Sequence, residues 1–190
     1  SPRGEIVSAT GTVIRRLDAS AGEITEFELP GRLLARMALG DGALWAATHP
    51  PGEASGMTLS RIDPGSGTIE GELALPGMVW QLWADEAAVW VLAAALLRSG
   101  VEWHLLGLDP DPLRVRSDVE SPPVFDGALH RGELWAYPEV TESSSTLARL
   151  DPSTGRSLGD IRLARPARAI ESGGAGVWVD QISTVAEIGP

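Results

Sequence analysis

Short apolar runs broken by Gly, Asp and Pro recur along the whole chain, and no stretch keeps a 3.6-residue apolar period for the length of a helix. One copy shows the pattern. Strand-like runs cover residues 34–39, 43–47, 59–62 and 68–75. Between the first two, Gly40-Asp41-Gly42 offers the positive φ that a tight hairpin needs. Asp63-Pro64-Gly65-Ser66-Gly67 joins the last two, combining fixed proline φ, an Asp side chain that can bond back to the backbone, and Gly. Asp151-Pro152-Ser153-Thr154-Gly155 repeats it, whereas Asp109-Pro110-Asp111-Pro112-Leu113 lacks the Gly and must turn differently. Each copy therefore predicts four short strands.

The copies are in register. Gly42-Ala43-Leu44-Trp45 returns as Ala87-Ala88-Val89-Trp90, Gly132-Glu133-Leu134-Trp135 and Ala175-Gly176-Val177-Trp178, with Trp steps of 45, 45 and 43 residues. An aliphatic marker recurs at Leu17, Ile62, Leu108, Leu150 and Ile188, and a closing proline at Pro30, Pro76, Pro122 and Pro166. Four strands in about 45 residues predict an all-β β-propeller of four-stranded antiparallel blades. A helical solenoid fits the period but not the punctuation. Neighbouring blades must stack to cover their apolar faces. The Trp of each second strand is then expected in the core, burying on the order of 150–250 Å².

The units are expected at residues 1–30, 31–76, 77–122, 123–166 and 167–190, as one domain over 1–190. The first lacks its innermost strand. The last runs through inner strands near 167–170 and 176–179 and a third at 184–188, then stops before its outer strand. That gives 18 strands and about four to five blades, closing irregularly or forming part of a larger ring.

Composition narrows the function. The 190 residues carry 15 basic and 26 acidic side chains, a formal charge of −11. This argues against nucleic acid or an anionic membrane as partner, since both call for clustered basic residues. All the basic residues are Arg, and Lys and Asn are absent, a bias that reads as a GC-rich, bacterial genome. Without Cys there is neither disulfide nor thiolate chemistry. The longest apolar stretch, 87–97, is too short to span a membrane, and no signal peptide is visible. The abrupt start Ser1-Pro2-Arg3-Gly4 is expected of a processed or trimmed chain.

The repeats Gly42-Ala43-Leu44-Trp45-Ala46-Ala47, Thr58-Leu59-Ser60-Arg61-Ile62-Asp63-Pro64 and Leu73-Ala74-Leu75-Pro76-Gly77 resemble bacterial propellers of the virginiamycin B lyase (streptogramin lyase), NHL and YVTN type. The resemblance covers nearly the whole chain. It implies the propeller fold, usually with six to eight blades, so this chain looks short of a full ring. For the lyases it also implies histidines and glutamates around a magnesium ion on one face. His49, His104 and His130 occupy different blade positions here, so no catalytic or metal-binding residue carries over.

Three sets of residues could bind a ligand. Arg36, Gln81 and Asp126 share one inner-strand column, with Ala169 fourth, and could converge on the channel; water-bridged lining is the plainer expectation. Trp80, Trp83 and Trp103 lie off the Trp ladder, where aromatics can stack on flat ligands but more commonly fill core. Insertions at 48–57, 92–102 and 138–145 fall on one face, and such insertions often mark the binding side. The Asp turns at 63, 109 and 151 offer one carboxylate each, too few for a calcium loop, so no cofactor is expected. The sequence thus predicts a non-enzymatic binding or interaction module presenting one loop-rich face to a protein or small molecule. It is expected to be the exported or sensory part of a larger bacterial protein, acting outside the cytoplasm and self-associating if the ring is incomplete. A metal-assisted lyase- or lactonase-like enzyme is the alternative.

Overall fold

The computed structural model describes residues 5–10, 13–18, 21–52, 56–86, 88–121, 123–124, 126–137, 145–173 and 176–181. These fold into two compact units, residues 1–121 and 122–190. In the first unit, β1 (Glu5–Thr10), β2 (Val13–Asp18) and β3 (Glu23–Glu28) form a three-stranded antiparallel meander. β4 (Leu33–Gly40), β5 (Ala43–His49), β6 (Thr58–Ile62) and β7 (Ile69–Ala74) form a four-stranded one. β8 (Met78–Ala84), β9 (Val89–Leu97), β10 (Gly100–Pro110) and β11 (Leu113–Glu120) form another. In the second unit, β12 (Asp126–His130), β13 (Glu133–Tyr137), β14 (Ser145–Asp151) and β15 (Arg156–Leu163) make a four-stranded sheet, and β16 (Ala167–Gly173) pairs with β17 (Gly176–Gln181). Every sheet follows chain order, as expected of propeller blades, and the first has three strands among the described residues. Seventeen strands are described; the expected strand at 184–188 lies outside the described residues.

The turns form where the sequence places them. Asp41 and Gly42 have φ of 52° and 67°, joining β4 to β5 in two residues. The Asp63 carboxylate accepts hydrogen bonds from the Gly65 and Ser66 amides at 2.9 and 2.6 Å, and Asp151 accepts from Ser153 at 2.8 Å. The third copy turns differently, as expected: its Asp109 instead receives the Arg114 guanidinium at 3.0 Å.

Sheet stacking makes the core. Ile14 of the first sheet, with Leu29 just after β3, packs with Leu44, Ala46 and Ile62 of the second. On the second sheet's other face, Trp45, Met57 and Leu59 pack with Val79, Leu82, Val91 and Leu106 of the third. Trp45 is fully buried and donates from Nε1 to the Gly40 carbonyl at 3.1 Å. In the next copy the Arg that usually precedes the aliphatic marker is replaced by Gly107, where a Cβ would meet the Trp90 ring at 2.5 Å. Arg116, on the outer strand, covers Trp90 instead, 5.5 Å from the ring centroid.

Two expectations are corrected. Trp178 is 70% exposed rather than core, on a sheet of which two strands are described. Residues 92–102 are not a loop: β9 and β10 remain paired to Leu97↔Gly100, so the insertion lengthens a hairpin and leaves its tip residues Leu96, Leu97 and Val101 exposed. Most of the insertion at 138–145 lies outside the described residues.

Hydrogen bonding by Ser66 and Ser153 holds the Asp63 and Asp151 carboxyls below their ordinary value of 3.8. A lowered folded value means this stability is complete above the unfolded value and is lost as pH falls through the folded one. Thermal midpoints should therefore drop as the pH falls below that ordinary value. The Asp63→Asn/Asp151→Asn double variant should show a shallower drop, and an equal drop would contradict this assignment.

Candidate functional site

The innermost strands carry a repeated irregularity. Pairing of β4 with β5 skips Ala35, pairing of β8 with β9 skips Trp80, and pairing of β16 with β17 skips Arg168. Such bulges bend a strand and re-aim the neighbouring side chains and carbonyls. Arg36, Gln81 and Ala169 each follow a bulge directly, so the column seen in the sequence is a real structural register.

The freed carbonyls of Trp80 and Arg168 are taken by the preceding sheet, and that of Ala35 by its own neighbour. Arg36 Nε donates to the Trp80 carbonyl at 2.7 Å, and its Nη1 donates to the Ala35 carbonyl at 2.8 Å. In the second unit the Tyr137 hydroxyl donates to the Arg168 carbonyl at 3.1 Å. Asp126 accepts from the Ile170 amide at 3.2 Å and the Gly127 amide at 2.9 Å. Burial, with the Asp126 charge beside it, pushes the Tyr137 hydroxyl up to about 12. Arg36 and Asp126 thus serve first as sheet-to-sheet links.

Where the second and third sheets diverge, a pocket of about 350 Å³ opens. Met57, Met78, Val79 and Trp80 form its apolar walls, with Ala35 behind. Arg36 and His49 supply its polar groups, and Gly52 belongs to the loop beside it. Each wall has a local cause. Gly77 has φ 73°, and a Cβ there would meet the Ala94 carbonyl oxygen at 2.2 Å, so only Gly lets the chain enter β8 at Met78. The Met57 sulfur accepts the Val79 amide, and the Met57 carbonyl accepts the Leu75 amide at 2.9 Å, so the loop end is tied to both sides. Trp80, 38% exposed, stands edge-on to Trp103 with centroids 5.6 Å apart and planes at 87°. This contact fixes the indole without covering it.

The structure therefore brings together Arg36, Trp80 and, through Trp80, Trp103. It separates the others. Trp83 is a core residue paired with Trp90. Gln81 is half-buried opposite Leu92, and Asp126 bonds backbone amides in the second unit. Met57, Met78 and His49 also line the pocket and are not among the residues to which the sequence points. The available signal was their position, at both ends of the 48–57 insertion and directly after Pro76-Gly77. His104 lies on β10 against Asp118 at 2.8 Å, outside the pocket. Among the described residues, no three or more His, Asp or Glu side chains group as a metal site.

Neither a family model nor a curated protein matches the sequence. Solved structures do. Glutaminyl cyclase from Myxococcus xanthus superposes with a TM-score of 0.54 at 15% identity, over 90% of this chain and 83% of that one. Hsv2 from Kluyveromyces lactis superposes with a TM-score of 0.57 at 12% identity, over 94% of this chain and 54% of that one. This chain therefore spans about half of the Hsv2 length. At these identities the likeness defines the fold alone: this is an all-β chain of β-propeller blades. One of those neighbours is an enzyme and the other a binding protein, so the fold does not choose between these functions.

The link made by Asp126 has a measurable consequence. Asp126→Ala leaves the Ile170 amide without its acceptor and should cost about 1–3 kcal/mol in urea unfolding. A change within error would mean that this carboxylate does not join the two sheets.

Proposed function

We propose that this chain is a non-enzymatic ligand-binding propeller module whose site is the pocket between its second and third sheets. The observation that carries the proposal is the pocket's composition. A small concave site with apolar, polarisable walls and a few fixed polar groups is the usual form of a small-molecule site. Two thioethers and an indole edge supply soft, adaptable contact surface. Arg36 and His49 supply direction. Gly52, Met57 and the start of β8 at Met78 all line the pocket, which supports access from the side where β5 leads on toward β6. The resemblance to virginiamycin B lyase-like, NHL and YVTN propellers supports a bacterial, extracytoplasmic protein, in which such a module would serve a sensory or exported role. The metal-assisted lyase alternative needs a His, Glu and Asp cluster that the described residues do not form, and no particular observation favours it.

The chain has three methionines, which makes a direct test simple. Met57 and Met78 line the pocket, whereas Met37 packs with the cluster between the first and second sheets. With methyl-¹³C methionine, titration with indole, phenol and N-acetyl-phenylalanine amide should shift the Met57 and Met78 signals and leave Met37 in place. If no probe moves the pocket methyls, or if Met37 moves as far, this reading fails.

A further inference from the structure

We propose that the pocket takes an apolar carboxylic acid with an N–H beside its carboxylate. This chemistry is shared by a free N-acyl amino acid and by the last residue of a peptide chain. The proposal rests on the binding reading above and adds the ligand's class.

The first argument is the state of Arg36. Several other arginines of the unit are paired with carboxylates: Arg15 with Glu26 at 2.7 Å, Arg32 with Glu72, and Arg61 with Glu70 at 3.2 Å. Arg36 has no carboxylate partner within 4.0 Å among the described residues. It is held instead by the carbonyls of Trp80 and Ala35 through Nε and Nη1. A guanidinium has five N–H donors, so this grip fixes the group while both Nη2 donors remain. In a chain of net charge −11, a cation fixed in a pocket without a carboxylate is a local invitation to an anion. A lone guanidinium suits a singly charged, planar carboxylate, which it can meet with paired hydrogen bonds. A phosphate dianion would call for more donors than these walls offer.

The second argument is His49. Its Nδ1 lies 2.9 Å from the Pro50 carbonyl oxygen. A carbonyl only accepts, so Nδ1 carries the proton, and in the neutral ring Nε2 is left as an acceptor. That lone pair disfavours a carboxylate and favours an N–H. The two polar groups therefore call for different ends of one ligand: carboxylate at Arg36 and N–H at His49. An N-acyl amino acid carries both on one carbon. Its side chain then falls to Met57, Met78 and the Trp80 indole, which Trp103 already holds in place.

Calorimetry on the intact 190-residue chain can compare N-acetyl-phenylalanine with its C-terminal amide, and acetyl-Gly-Gly-Phe with its amide. Each acid should bind about tenfold or more tightly than its amide, the value of one charge-assisted pair. Arg36→Gln should erase that preference while amide binding persists. The wild-type acid/amide comparison does not depend on how the variant folds. Tighter binding of the tripeptide acid identifies a peptide C-terminus as the natural ligand; equal or weaker binding identifies a free acid; either supports the proposal. Equal binding of acid and amide, with Met57 and Met78 still shifting, overturns the carboxylate proposal and leaves the binding reading standing. Absence of any pocket shift overturns both.

Discussion

A small antiparallel sheet with apolar side chains on both faces cannot keep them dry by itself. The second sheet shows the consequence: Leu44 and Ala46 need the first sheet, while Trp45 and Leu59 need the third. Burying a side chain the size of Trp45 contributes several kcal/mol at about 25 cal/mol per Å². The same need recurs every 45 or so residues, which is why one sequence pattern repeats at that interval.

Flat stacking would leave no room for a ligand. The inner-strand bulges at Ala35 and Trp80 change this by turning a carbonyl out of the ladder. A freed carbonyl needs a donor, and Arg36 provides one across the gap. The same solution appears in the second unit, where Tyr137 reaches the Arg168 carbonyl. The two links differ in what they leave behind. Tyr137 uses its one hydroxyl proton and is pressed into apolar packing. Arg36 keeps donors and a charge beside an open pocket. The shared device is structural, and only the arginine version has chemistry to spare.

Blade order, hairpin turns and most of the core were legible in the sequence because each depends on local or periodic signals. Asp41-Gly42 and Asp63-Pro64-Gly65 state their turns outright, and the Trp ladder states the stacking. The site was partly legible. Arg36 and Trp80 stood out as a polar column and an off-ladder aromatic, and both line the pocket. Their bonding to each other was hidden, because a bulge is a property of strand pairing that no single run of residues records. Met57 and Met78 read as ordinary apolar residues until the stacked sheets placed them on one wall. The 92–102 insertion shows in the sequence only as extra length between Trp90 and Leu108, and length alone does not tell a loop from a longer hairpin, which is what β9 and β10 form.

The account stands or falls on what occupies the gap between the second and third sheets. A crystal structure of the chain grown with N-acetyl-phenylalanine tests this most directly. The account predicts the phenyl group between Met57, Met78 and Trp80, the carboxylate on the Arg36 guanidinium and the amide N–H at His49 Nε2. Density for the ligand at another place, or a pocket closed by its own side chains with the ligand in excess, would contradict it.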